Sequence, residues 1–122
     1  MRIDKNTIIN GLTRYVETQV IPAVPDKGFQ IMIAIGVNAV RSNKQILNRF
    51  LDNDMFRTIA DYDEKDQTYD IDKICNVLKE SISSIGYFPV KIPAVSFVSP
   101  VEKELKFSAE DIDTMKEYMT VG

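Results

Sequence analysis

One cysteine and no histidine in 122 residues leave this chain no covalent or metal staple, so its fold must rest on a buried apolar core. A disulfide within the chain needs a second thiol, and a thiolate-bound structural zinc needs several. Histidine-dependent triads and histidine-ligated zinc or haem are excluded on the same ground. Cys75 therefore carries no information about an oxidising compartment. The core is within reach: a chain of 13.9 kDa buries roughly two thirds of the surface its unfolded form exposes. Hydrophobic residues make up 44% of the chain and charged residues 27%, the balance of one ordered domain over 1–122.

Helix signals recur along the chain. Asp4 is a cap, with Ile3 and Ile8 spaced for a hydrophobic staple across it. Ile8, Leu12, Tyr15, Val16 and Val20 then repeat at steps of three and four, and Pro22 and Pro25 close the segment. A residue before proline is pushed out of the helical region, which predicts extended backbone at Ile21 and Val24. Asp26 is positioned to cap the run Phe29 to Val40. That run alternates at Ile31, Ile33, Ile35 and Val37 as a strand would, but its length and cap favour a helix. Being apolar nearly all round, it is expected at the centre of the fold, with Gly36 as a point of close helix approach.

Ile46, Leu47, Phe50 and Leu51 mark a short amphipathic stripe, and Asn53 or Asp54 can cap a further turn or two. Residues 61–69 read as an exposed acidic loop. Asp70 opens a helix with the stripe Ile71, Ile74, Leu78, Ile82 and Ile85, widened by Cys75 and Val77, and Gly86 suits its left-handed end. Phe88, Val90 and Ile92 alternate with Pro89 and Lys91, as Leu105 and Phe107 do with Glu104 and Lys106. These two runs predict an antiparallel ribbon, with Pro89 favouring an edge and an apolar loop through Pro93 to Pro100. Ser108 and Asp111 form a capping box before Ile112, Met115 and Met119. The expected fold is mainly α, of the α+β kind: four to five helices around a buried central helix, with a two-stranded ribbon before the C-terminal helix.

Chemical signatures are sparse. Asp61, Asp63, Asp66, Asp70 and Asp72 lie between two expected helices, as calcium ligands do. Counted from Asp61, however, Lys65 falls on a ligand position and Asp66 on the position that needs glycine. A solvated loop ending in an Asp70 cap is the simpler reading. Cys75 lies on an apolar stripe and has no histidine base to activate it. Glu102 with Glu104, and Glu110 with Asp113, are carboxylate pairs on apparent surface faces. The five glycines are scattered, so no loop is built to cradle phosphate. No catalytic residue, cofactor or metal site is assigned, and the chain is expected not to be an enzyme.

Charge and apolar content point to association instead. Residues 1–51 carry seven bases and three acids, whereas 52–72 carry two bases and eight acids. The basic cluster Arg41, Lys44 and Arg49 and the acidic residues Asp61, Asp63 and Asp66 could meet between copies. The basic cluster is small and lies close to the acidic segment, which disfavours nucleic acid as a partner. The segment Ile92 to Val101 is uncharged and apolar, so Val95, Phe97 and Val98 are candidates for docking to a neighbouring chain. Pro89 on an edge strand would also leave backbone groups open to strand addition. Met1 to Thr7 shows no apolar targeting core, and the 12 residues from Phe29 to Val40 are too few to span a bilayer. A cytoplasmic protein with no membrane partner is expected.

The order of these features resembles small uncharacterised proteins encoded in phages and prophage-like elements of Gram-positive bacteria. The residues concerned are Val20-Ile21-Pro22, Asp26-Lys27, Gln30-Ile31-Met32, Tyr69-Asp70-Ile71-Asp72, Phe88 through Pro93, and Phe107 through Asp111. The resemblance spans nearly the whole chain and rests on caps, a strand and a loop; it carries over no catalytic residue. It implies a virion or tail-assembly component, cytoplasmic in the host or carried on the particle. The partners it implies are further copies of the chain, as a homo-oligomer, or other phage structural proteins. Two other functions fit the residues: a monomeric regulatory protein binding a host or phage protein, and a metal-binding module on the acidic loop.

Overall fold

The structure, a computed structural model, describes residues 1–95 and 100–120, with the backbone alone for 92–95 and 100–103. Strand β1 (Arg2–Asp4) leads into α1 (Lys5–Tyr15), which loosens into a π-helical turn (Val16–Val20) and a 3-10 turn (Ile21–Ala23). Helices α2 (Lys27–Ser42), α3 (Gln45–Leu51) and α4 (Asp54–Ile59) follow, then β2 (Thr68–Asp70) and α5 (Ile71–Ile85). A ribbon of β3 (Phe88–Val95) and β4 (Pro100–Phe107) precedes α6 (Ala109–Thr120). The chain is mainly helical, with a two-stranded antiparallel ribbon before the C-terminal helix, as the sequence leads one to expect. The helices number six among the described residues.

The expected caps close the helix starts, each contributing about 1 kcal/mol. Asp4 accepts from the Thr7 amide at 2.7 Å, and Asp26 from Phe29 at 3.1 Å. Asn53 accepts from Met55 and Phe56, and Asp70 from Asp72 and Lys73. Ser108 and Asp111 bond reciprocally, at 2.8 and 3.1 Å. Gly86 ends α5 at a φ of 91°, where a side chain would be strained.

The long apolar helix α2 is not the centre of the fold. Only Phe29, Ile33 and Val37 are buried, one residue per turn, while Ile31 and Ile35 stand about 60% exposed. The helix finds partners on one side only, in the 16–23 segment and α3, and an apolar face without a neighbour stays in solvent. The centre belongs to α1, α5 and α6. Gly11, not Gly36, supplies the close approach: a Cβ there would lie 2.7 Å from the Met119 Cα, whereas nothing lies within 4 Å of one at Gly36.

Residues 61–69 are not simply an exposed loop. Asp63 and Thr68 form a bridge, and β2 pairs antiparallel with β1, Ile3 opposite Tyr69. Tyr69 is fully buried and donates its hydroxyl to the Leu51 carbonyl at 3.0 Å. The backbone at Ile21 is helical despite Pro22, because the π-helical turn runs on into the 3-10 turn; Val24 is extended, as expected. The Gln30 amide then bonds the carbonyls of Ile21 and Val24 at 2.9 and 2.7 Å. The ribbon pairs Phe88 with Phe107 and runs further than expected, through Val95 and from Pro100. Much of the expected Pro93–Pro100 loop is therefore strand. Pro89 and Pro93, four residues apart, remove donors from one and the same edge of the ribbon.

Two outcomes follow from this packing. Gly11→Ala is expected to lower stability by about 1–3 kcal/mol in urea unfolding, since overpacking against Met119 outweighs a helix-propensity gain of about 1 kcal/mol. Gly36→Ala, facing open space, should raise stability by about 0.5–1 kcal/mol, and equal effects at the two sites would contradict the α1–α6 contact. Acid titration provides the second. The Lys116 ammonium and the chain's first amino group hold the Asp72 carboxyl at about 2, below its ordinary 3.8. A depressed carboxylate stabilises above its unfolded pKa, so the melting temperature should fall as pH drops from about 4 through about 2. Asp72→Asn should flatten that fall; an unchanged acid limb would refute the pairing.

Candidate functional site

The α5 stripe expected to be core does more than fill the interior. Ile71, Ile74, Cys75 and Leu78 form one wall of a cavity of about 330 Å³. Helix α1 adds Ile8 and Leu12, at the spacing of one turn, and α6 adds Met115 and Met119 at the same spacing. Phe88, at the foot of β3, lines it as well. Its exposed lining residues, Phe50 of α3, Ile59 of α4 and Val77 of α5, mark the mouth. The Phe50 and Phe56 rings meet at 4.9 Å between centroids.

Every residue lining this cavity is apolar. It offers no carboxylate, amide or hydroxyl to orient a reacting group. Its one titratable side chain is Cys75, buried, whose thiol is pushed up by burial. A protonated thiol is a poor nucleophile, so Cys75 acts as a small apolar wall residue, as the stripe predicts. What the cavity can do is take up another apolar surface. A dry apolar cavity half this size is known to hold a benzene-sized guest.

The residues singled out in the sequence fall elsewhere. Arg41 is paired with Glu17, and Lys44 donates to the Asn6 amide oxygen at 3.4 Å. Arg49 lies exposed on α3. Asp61 faces Arg2 at 3.5 Å and Lys73 at 3.3 Å, and Asp63 accepts from the Lys65 and Asp66 amides to shape its own turn. Asp66 lies on the rim of a separate polar cleft beside Lys5 and Tyr62. Of these three acids, Asp61 is answered by bases of its own chain. Among the described residues no three acidic or thiol side chains are grouped so as to hold a metal ion. Asp113, offered as half of a carboxylate pair, faces Lys79 instead. The backbone of Val95 belongs to β3; its side chain, and Phe97 and Val98 altogether, lie outside the described residues.

Sequence reasoning missed the cavity because no single helix shows it. Its signal was the surplus of apolar residues beyond one stripe, Val77 on α5 and Phe50 on α3. No helix among the described residues is long and apolar enough to cross a membrane, so this surplus does not mark a bilayer span.

Thiol chemistry checks the wall. At pH 7.5 Cys75 should alkylate with iodoacetamide at least about tenfold more slowly in the folded chain than in urea, because burial suppresses the thiolate. Equal rates would mean that the cavity is solvated at the sulfur.

Comparisons with protein-family models, with curated proteins and with solved structures returned no match to this chain.

Proposed function

We propose that this chain is a non-enzymatic structural or assembly protein of a phage or prophage element, working by association between copies. The observation that carries this reading is the all-apolar cavity with an exposed apolar mouth, where Phe50 is 61% and Val77 40% exposed. Apolar side chains grouped at the mouth of an apolar cavity mark a contact surface more than scattered ones do. The chain also carries a matching occupant, the uncharged segment 92–101.

The ribbon's length argues that this occupant comes from a second copy. Phe88 lines the cavity and Val95 ends the same eight-residue strand. At about 3.3 Å per residue, Val95 lies roughly 23 Å from that end. Pairing with β4 along its whole length holds the backbone of Val95 at that distance, which favours the cavity of another copy. A tip-to-cavity contact between copies is heterologous and builds rings or open chains, which suits an assembly component.

Light scattering behind a sizing column tests the reading. The mass should rise with concentration toward a defined multiple of one chain. Val77→Asp and Phe50→Asp, at exposed positions, should hold the mass at one chain with helical content unchanged, because a charge cannot be buried there unpaired. A wild-type mass of one chain at every concentration would overturn self-assembly and favour the monomeric regulatory reading.

A further inference from the structure

We propose that a second cavity, beside Tyr15, is a binding site for a small amine with an apolar body. This inference does not depend on association between copies. The cavity measures about 370 Å³ and lies between the 16–26 segment and β4. Val24, Phe29 and Phe107 give it an apolar floor.

The polar atoms around that floor are mostly acceptors. Tyr15 is 3% exposed and lines the cavity, yet among the described residues nothing hydrogen-bonds its hydroxyl. Its ring is held by Tyr118, edge-on at 5.7 Å, and by Phe107 at 6.4 Å. Burial, with the charge of Asp111 adding to it, raises the phenol to about 12, so the group stays neutral and keeps its lone pairs as acceptors.

Gln19 also lines the cavity. Its amide nitrogen donates to the Tyr118 hydroxyl at 2.9 Å, which leaves the amide oxygen to accept. Asp26, Asp111 and Glu104 line the cavity, with Lys106 the base among the described lining residues; its ammonium lies over the Tyr87 ring at 4.8 Å. A partner for this wall brings several donors and a positive charge. An ammonium group supplies both, and the floor asks for hydrocarbon or an aromatic ring behind it.

Amide chemical shifts of the full chain, followed during titration, test this with four probes. Phenethylamine should give saturable shifts confined to residues 15–29 and 104–111. 3-Phenylpropionate, the same body with a carboxylate, should bind at least about tenfold more weakly, because the wall carries acids. n-Butylamine, which copies a lysine side chain without the ring, should also be about tenfold weaker, since it leaves the floor unfilled. Butylamine binding equally well would make the occupant a protein lysine and overturn the apolar-body claim. 2-Phenylethanol, neutral, should fall between the amine and the acid; binding as tight as the amine would overturn the need for charge.

Tyr15→Phe keeps the ring packing. It should weaken phenethylamine about three- to tenfold, the share of one neutral hydrogen bond, while melting at the same or a higher temperature without ligand. A lower melting temperature would mean that the protein itself engages the hydroxyl, which defeats the proposal. So would the absence of saturable shifts with phenethylamine, or equal binding of 3-phenylpropionate.

Discussion

Helix α1 meets α6 at Gly11 against Met119, too closely for a Cβ at position 11, and most of the fold is arranged around that contact. Only a residue without a side chain fits there, because even a methyl group would overlap the Met119 Cα. The contact is reinforced beyond the crossing: Arg14 donates to the Tyr118 carbonyl at 2.9 Å, and Thr18 to the Tyr118 hydroxyl at 2.7 Å. Both apolar clusters draw on the same pair of helices. Ile8 and Ile9 belong to one and Tyr15 to the other, while Met115 and Phe107 pack against both. In a chain with no disulfide this shared pair does the work of a staple.

The electrostatics are local in the same sense. The acidic stretch that looked like a surface for a partner is tied back to its own chain by Arg2, Lys73 and Lys116. These are exposed pairs, individually worth little. Their effect is on specificity: β1 and β2 are only three residues each, and Arg2 reaches across to the Thr68 side chain and carbonyl, which holds the register. The largest grouped surface left without a neighbour among the described residues is apolar, around Phe50, Ile59 and Val77. That is the reason to look for function at cavities and not at the charged zones.

How much of this was legible follows from the range of each interaction. Caps are settled within three residues, so Asp4, Asp26, Asn53, Asp70 and Ser108 could be read directly, as could the left-handed Gly86. The α5 stripe and the antiparallel ribbon, though not its register, were legible because periodicity persists over many residues. The β1–β2 pair was not: three residues show no alternation, and their partners lie over 60 positions away. The location of α2 was misread for a related reason. Apolar residues all round a helix state what it could bury, but the neighbours decide what it does bury, and α2 has them on one side. The cavity lay beyond reach because five helices and a strand foot build it.

The two cavities are made from the same two stripes. On α1, Ile8 and Leu12 face the first cavity and Tyr15, one turn on, faces the second. On α6, Met115 and Met119 face the first and Asp111, one turn back, faces the second. A stripe that stayed apolar throughout would give two cavities of one chemistry. A carboxylate at Asp111, which also completes the α6 capping box, and a single hydroxyl at Tyr15 make the second one different. Polar atoms set against an apolar floor give that cavity a chemical character the first one lacks. The first cavity answers to shape and area alone, as suits a macromolecular surface, and the second to charge and hydrogen bonding, as suits a small molecule.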